Sequence, residues 1–186
     1  MHMQMSDSAD VLAHVSRNVR RLRQATGLSQ ATLADQSGVS RRTVIKLEAG
    51  EANISLTGLD RLAESLGVTF VDLVAEPTAP RSSINEVVWR GQLPRSVATL
   101  MASVPANKEA QLLSWSLEPT ERYVGEPDPA GWSEMILVFE GKLCIETTEE
   151  KVLRAAGEHY AFATSQDFSY TNESQELTRF ARIVVS

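Results

Sequence analysis

QATLADQSGVSRRTVIKLEAG, residues 30–50, reads as two short helices joined by a tight turn. Leu28 and Ser29 open the first helix, with the Ser29 hydroxyl placed to accept an orphan backbone N–H. Leu33 and Ala34 face inward, and small Ala34 lets the two helices cross closely. Gly38 follows the last turn, where the chain takes a left-handed residue and a Cβ is penalised. Ser40 caps the second helix, and Val44 and Leu47 at i and i+3 form its buried side. Arg41, Arg42, Thr43 and Lys46 are left exposed. A cationic, donor-rich helix N-terminus suits phosphates and guanine edges in a major groove.

An ordinary helical hairpin with a solvated charged face has the same local pattern. The flanks argue for more. A preceding helix over residues 10–26 places Val11, Val15, Val19 and Leu22 at helical spacing, beside a basic strip of Arg17, Arg20, Arg21 and Arg23. Ser55 begins a fourth helix with Leu56, Leu59, Leu62, Ala63 and Leu66 inside, stopped by Gly67. Thr69 and Asp72 form a capping box that opens a fifth. Five short helices in about 70 residues match one small helical domain.

Residues 11–74 resemble the helix-turn-helix domain of phage repressors and XRE-type bacterial regulators. The resemblance rests on Leu28-Ser29-Gln30, Leu33-Ala34, Gly38-Val39-Ser40, Leu47-Glu48-Ala49-Gly50 and Leu59-Leu62-Ala63-Leu66-Gly67-Val68. It implies that Gln30 touches a phosphate, that Arg41, Arg42 and Lys46 face base edges, and that Ser40 and Thr43 lie near the backbone. Asn53, in the turn after Gly50, is implied as a further phosphate contact.

Length and charge bound the rest. A chain of 186 residues holds one or two domains and needs no metal or disulfide to stay folded. The lone Cys144 excludes an intramolecular disulfide and a zinc finger, and it reads as a buried strand residue between Leu143 and Ile145. No apolar run approaches the ~20 residues that span a membrane. Residues 1–10 are polar and carry no secretory signal, so a cytoplasmic protein is expected. The net charge of −6 is unequally divided: eight Lys/Arg face nine Asp/Glu through Glu76, and ten face fifteen beyond it. Patch placement rather than total charge decides phosphate binding. A nearly neutral reading head implies modest affinity per copy, which favours a homodimer on two half-sites.

Residues 75–83, AEPTAPRSS, form a linker by composition. Beyond it the apolar period changes from 3.6 to 2. Strands are expected at 84–90, 96–104, 110–117, 133–139, 142–147, 151–154, 160–163, 168–171 and 178–185, with Glu140-Gly141 as a tight hairpin turn. Many short strands argue for a sandwich or barrel. The expected architecture is therefore multidomain α plus β: an all-α five-helix domain at 1–74, the linker, and an all-β domain at 84–186.

The second domain resembles a cupin, a small jelly-roll barrel. Glu134 and Val138-Phe139-Glu140-Gly141-Lys142-Leu143 stand at the first motif. Gly157-Glu158, Tyr160, Phe162, Ser169-Tyr170 and Asn172 stand at the second. XRE-type regulators with such a C-terminal sensor are a known arrangement of about this length. The departures are informative. Metal-binding cupins use His-x-His and Glu with a second-motif His, whereas VGEPDPAGWS before Glu134 has no histidine and Phe168 occupies the later position. One carboxylate does not supply a metal's ligand set. No metal, cofactor or catalytic residue is expected; His159 reads as a structural strand residue, and His14 sits in the first helix.

A binding cavity is the remaining use of a small barrel. Glu134 is then a partner for a ligand ammonium, Trp115, Phe168 and Tyr170 give apolar or cation–π walls, and Arg179 or Arg182 meets a ligand carboxylate. That pattern suits an amino acid or an amine. The alternative is core aromatics, with Glu134 paired to a protein arginine. The sequence thus points to a regulator that binds a double-stranded operator and a small-molecule effector, with no membrane partner. A barrel that only dimerises, a tethered cupin enzyme, and an antitoxin role are its rivals.

Overall fold

The computed structural model describes residues 7–51, 54–76 and 81–186, with side chains of the first helix described from His14 on. Asn53, residues 77–80 of the linker and the Val11 side chain lie outside the described residues. The chain divides into two compact units, Met1–Pro80 and Arg81–Ser186.

The first unit contains α1 (Asp7–Ala25), α2 (Gln30–Ser37), α3 (Arg41–Glu48), α4 (Leu56–Leu66) and α5 (Phe70–Val74). Its helices start where hydroxyls meet orphan amides. Ser29 accepts the Thr32 N–H at 3.0 Å, Ser40 that of Thr43 at 3.1 Å, and Ser55 that of Gly58 at 3.1 Å. At α5 the Asp72 carboxylate accepts the Thr69 N–H at 2.9 Å, completing the expected box. Gly38 turns the chain between α2 and α3 at φ 68°. The buried stripe of α1 (Val15, Val19) meets Leu33, Val44, Leu47, Leu62 and Leu73 in one core. Asn18 fastens α1 to the end of α5, its amide donating to the Leu73 and Ala75 carbonyls at 3.0 Å each.

The second unit has β1 (Glu86–Arg90), β2 (Val97–Pro105), β3 (Glu109–Leu117), β4 (Arg122–Gly125), β5 (Ser133–Glu140), β6 (Lys142–Thr147), β7 (Lys151–Ala155), β8 (His159–Ala163), β9 (Phe168–Thr171) and β10 (Thr178–Val185). Four antiparallel pairs are nested: β3 with β10, β4 with β9, β5 with β8, β6 with β7. Lateral pairing of β10 with β5 and of β9 with β6 then gives two sheets, β1-β2-β3-β10-β5-β8 and β4-β9-β6-β7. This is the jelly-roll order of a cupin. The strands form two sheets rather than one closed cylinder.

Two local expectations are corrected. β4 is missing from the strands read in the sequence; it forms because Tyr123 finds Tyr170 across the sheet. Glu140-Gly141 is no hairpin, since β5 and β6 belong to different sheets. Gly141, at φ 76°, is the corner where the chain crosses between them. A Cβ there would lie 2.6 Å from Thr178 Oγ1 and 2.9 Å from the Leu177 carbonyl oxygen.

Candidate nucleic-acid interface and the interior of the second unit

α3 buries Val44 and Leu47 and turns Arg41, Arg42, Ile45, Lys46 and the following Ala49 to solvent. Three cations thus share one face, starting at the helix N-terminus. Thr43 is half-buried with its hydroxyl 2.7 Å from that of Ser40, so both hydroxyls are tied to the helix start. Ile45 is 42% exposed, the one large apolar side chain so placed among the described residues of this unit. Ile45 is not among the residues expected at the interface. Its position four residues after Arg41, between buried Val44 and Leu47, was the available signal.

Gln30 is placed differently from the expectation of a free phosphate ligand. Its amide donates to Glu48 Oε2 at 2.9 Å. Glu48 is buried and also receives Arg23 in a bidentate fork, through Nε and through Nη2 at 2.9 Å. Arg23 Nη1 reaches the Leu28 carbonyl at 2.8 Å. One carboxylate therefore braces α1, α2 and α3, which fixes the angle at which α3 is presented. Burial by itself would raise the Glu48 carboxyl. Hydrogen bonds from Arg23 and Gln30, with the charges of Arg23 and Arg20, outweigh it and hold Glu48 below the usual carboxylate range. The same pairing raises Arg23. Beside this brace is an open recess of about 230 Å³ lined by Arg20, Arg23, Gln30, Ile45, Glu48 and Ala49.

In the second unit Glu134 is fully buried between two partners. It is ion-paired with Arg182 Nη2, itself 4% exposed, and accepts the hydroxyl of fully buried Tyr170. The carboxylate expected to await a ligand ammonium is thus already matched by a protein guanidinium. Burial opposes the Arg182 charge, but Glu134 and the tyrosine oxygens more than offset this, and Arg182 is held well above its ordinary value. Burial and the Glu134 charge push the Tyr170 hydroxyl well up, so it stays a donor. Breaking such a buried pair from one side costs about 3–5 kcal/mol, because the other charge is left unmatched.

Arg179 is a correction: its side chain is 60% exposed and lies 3.6 Å from Glu140 on the outer face. Strand alternation sends Phe180, Arg182 and Val184 inward instead. Trp115 and Phe168 are buried as well. Trp115 stacks on Phe180 at 5.7 Å and meets Tyr123 edge-on at 4.8 Å. The Arg182 guanidinium lies 5.7 Å from the Trp115 ring centroid. Half-exposed Trp89 stacks on Trp115 at 5.1 Å. Trp89, Tyr123 and Phe180 were absent from the expected lining. Phe180 was legible, two residues before Arg182, whereas Tyr123 disappeared with its strand. Two buried donors, Trp115 Nε1 and Arg182 Nε, have no hydrogen-bond partner in the protein. Among the described residues no group of three or more His, Cys, Asp or Glu is arranged to hold a metal ion.

A braced cationic third helix in a five-helix unit, followed by a jelly roll with cupin strand order, defines a DNA-binding transcriptional regulator with a cupin domain. Comparison with known proteins agrees. Residues 19–73 match the helix-turn-helix family model HTH_3. The HTH-type transcriptional regulator SutR of Escherichia coli K12 is 23% identical over 91% of this chain and 93% of its own. The HTH-type transcriptional regulator y4dJ of Sinorhizobium fredii is 38% identical over 35% of this chain and 84% of its own. An HTH_3 family transcriptional regulator from Vibrio cholerae shares the fold, with a TM-score of 0.73 at 21% identity over 96% of this chain and 98% of its own. The chain belongs to the XRE-type helix-turn-helix family of transcriptional regulators. Among the described residues no helix is long and apolar enough to cross a membrane.

Proposed function

We propose that α3 reads a double-stranded operator from the major groove, with Arg41, Arg42 and Lys46 on base edges. Ser40, Thr43 and Asn53 lie near phosphates, and Ile45 packs against a thymine methyl. Gln30 acts as part of the brace that orients α3. The observation that carries this reading is the exposed face of α3, cationic along its length and fixed from behind by Glu48. Two such heads, in a homodimer, supply the phosphate contacts that one nearly neutral head lacks. The cupin interior, joined through residues 75–83, holds a small effector around Arg182, Trp115, Phe168 and Tyr170. The effector acts by favouring one arrangement of the dimer over another.

The test begins with an operator selected from random duplexes by the full chain. Arg42→Ala is expected to weaken binding by about 1–3 kcal/mol and to relax the preference at one base pair. Unchanged affinity and an unchanged footprint would remove α3 from the reading role. A second reading, in which the cupin only dimerises, draws support from the outer face of its larger sheet. There Leu112, Ile183 and Met135 align across β3, β10 and β5, and Leu112 and Met135 are exposed. A stable dimer whose operator affinity is indifferent to extracted metabolites would favour that reading.

A further inference from the structure

The partners of Glu134 restrict the chemistry of any effector. We infer that the cupin interior takes a small neutral molecule with a hydrogen-bond acceptor on a flat apolar body; this rests on the sensing reading above. The two buried charges, Glu134 and Arg182, cancel one another. Tyr170 directs its proton to Glu134. A ligand ammonium would make two cations share one carboxylate, and a ligand carboxylate would make two anions share one guanidinium. Either leaves a net charge in a buried site, which is strongly unfavourable. Two open valences call for an acceptor. Arg182 Nε–H and the indole Nε1–H of Trp115 are donors that cannot accept, and both are buried without a partner. A neutral carbonyl-type oxygen satisfies them and leaves the charge balance untouched.

The walls set the rest of the ligand. The Trp115 and Tyr123 rings lie 5.7 and 5.9 Å from the Arg182 guanidinium, and Tyr170 and Phe180 pack against Trp115. Flat apolar bodies suit such walls. Half-exposed Trp89 stacks on Trp115 at the solvent side of this cluster.

Four probes with a common phenyl body separate the possibilities: acetophenone, toluene, benzoate and benzylamine, titrated into the full chain by calorimetry. Acetophenone is expected to bind about tenfold tighter than toluene, the worth of a buried hydrogen bond to an acceptor, and tighter than either charged probe. Trp115→Phe keeps a ring and removes one donor. It is expected to narrow the acetophenone-to-toluene gap to about threefold, whatever the change in toluene binding itself. The wild-type series stands even if that variant fails to fold. Preference for benzylamine or benzoate, or equal binding of acetophenone and toluene, would overturn the neutral-acceptor inference and leave the sensing reading in place. Binding of none of the four would also overturn it. The sensing reading itself fails separately, if operator affinity does not respond to extracted metabolites.

Discussion

Glu48 is a buried carboxylate behind the cationic face of α3, and the Arg23 fork explains how the unit accommodates it. Its proton affinity is lower in the folded unit than in the unfolded chain. The stability it contributes is therefore complete above the ordinary glutamate pKa of about 4.3 and is lost as pH falls through the depressed folded value. Glu48→Gln is expected to lower the melting temperature of the helical signal at pH 7 and to flatten its fall on acidification. Parallel melting curves for the two proteins between pH 7 and 3 would show that the brace contributes nothing. The pairing was hidden from sequence reading for a physical reason. Arg23 and Glu48 are 25 residues apart, and Glu134 and Arg182 are 48 apart. Neither spacing carries a signal until the backbone brings the groups together.

Elements differ in how far their causes reach. Gly38 and Gly141 both hold positive φ, at 68° and 76°. At Gly38 a Cβ meets nothing within 4 Å, so alanine there is expected to cost only the left-handed backbone term of about 1–2 kcal/mol. At Gly141 the same change also drives a Cβ into Thr178 and the Leu177 carbonyl. Gly141→Ala is accordingly expected to lower the urea midpoint of its unit more than Gly38→Ala lowers that of the helical unit; the reverse order would refute the corner's tightness. The contrast also explains what was legible. Caps at Ser29, Ser40 and Ser55 act within three residues, and each was readable. The turn chemistry of Glu140-Gly141 was equally visible, but which sheet the next strand joins is decided by partners far along the chain. β4, four residues that end on Gly125 between Pro119 and the pair Pro127 and Pro129, had too little alternation to show before β9 paired with it.

At the scale of the whole molecule, two units each bury a core of their own. All three tryptophans, at 89, 115 and 132, lie in the second. Leu62→Ala, which empties part of the helical core, is expected to destabilise that unit by about 2–5 kcal/mol, read by circular dichroism at 222 nm. The tryptophan emission midpoint in urea should not move. A matching shift in emission would mean that the units unfold as one.

The nested strand order also has a consequence in time. β3 cannot be paired on its inner side until β10, some sixty residues later, has left the ribosome, and β5 waits for the same strand. Local helices close in microseconds, whereas such distant pairings are slow. During synthesis the helical unit is therefore complete while the second unit is still an open chain. A newly made molecule acquires its helix-turn-helix head before its cupin has closed.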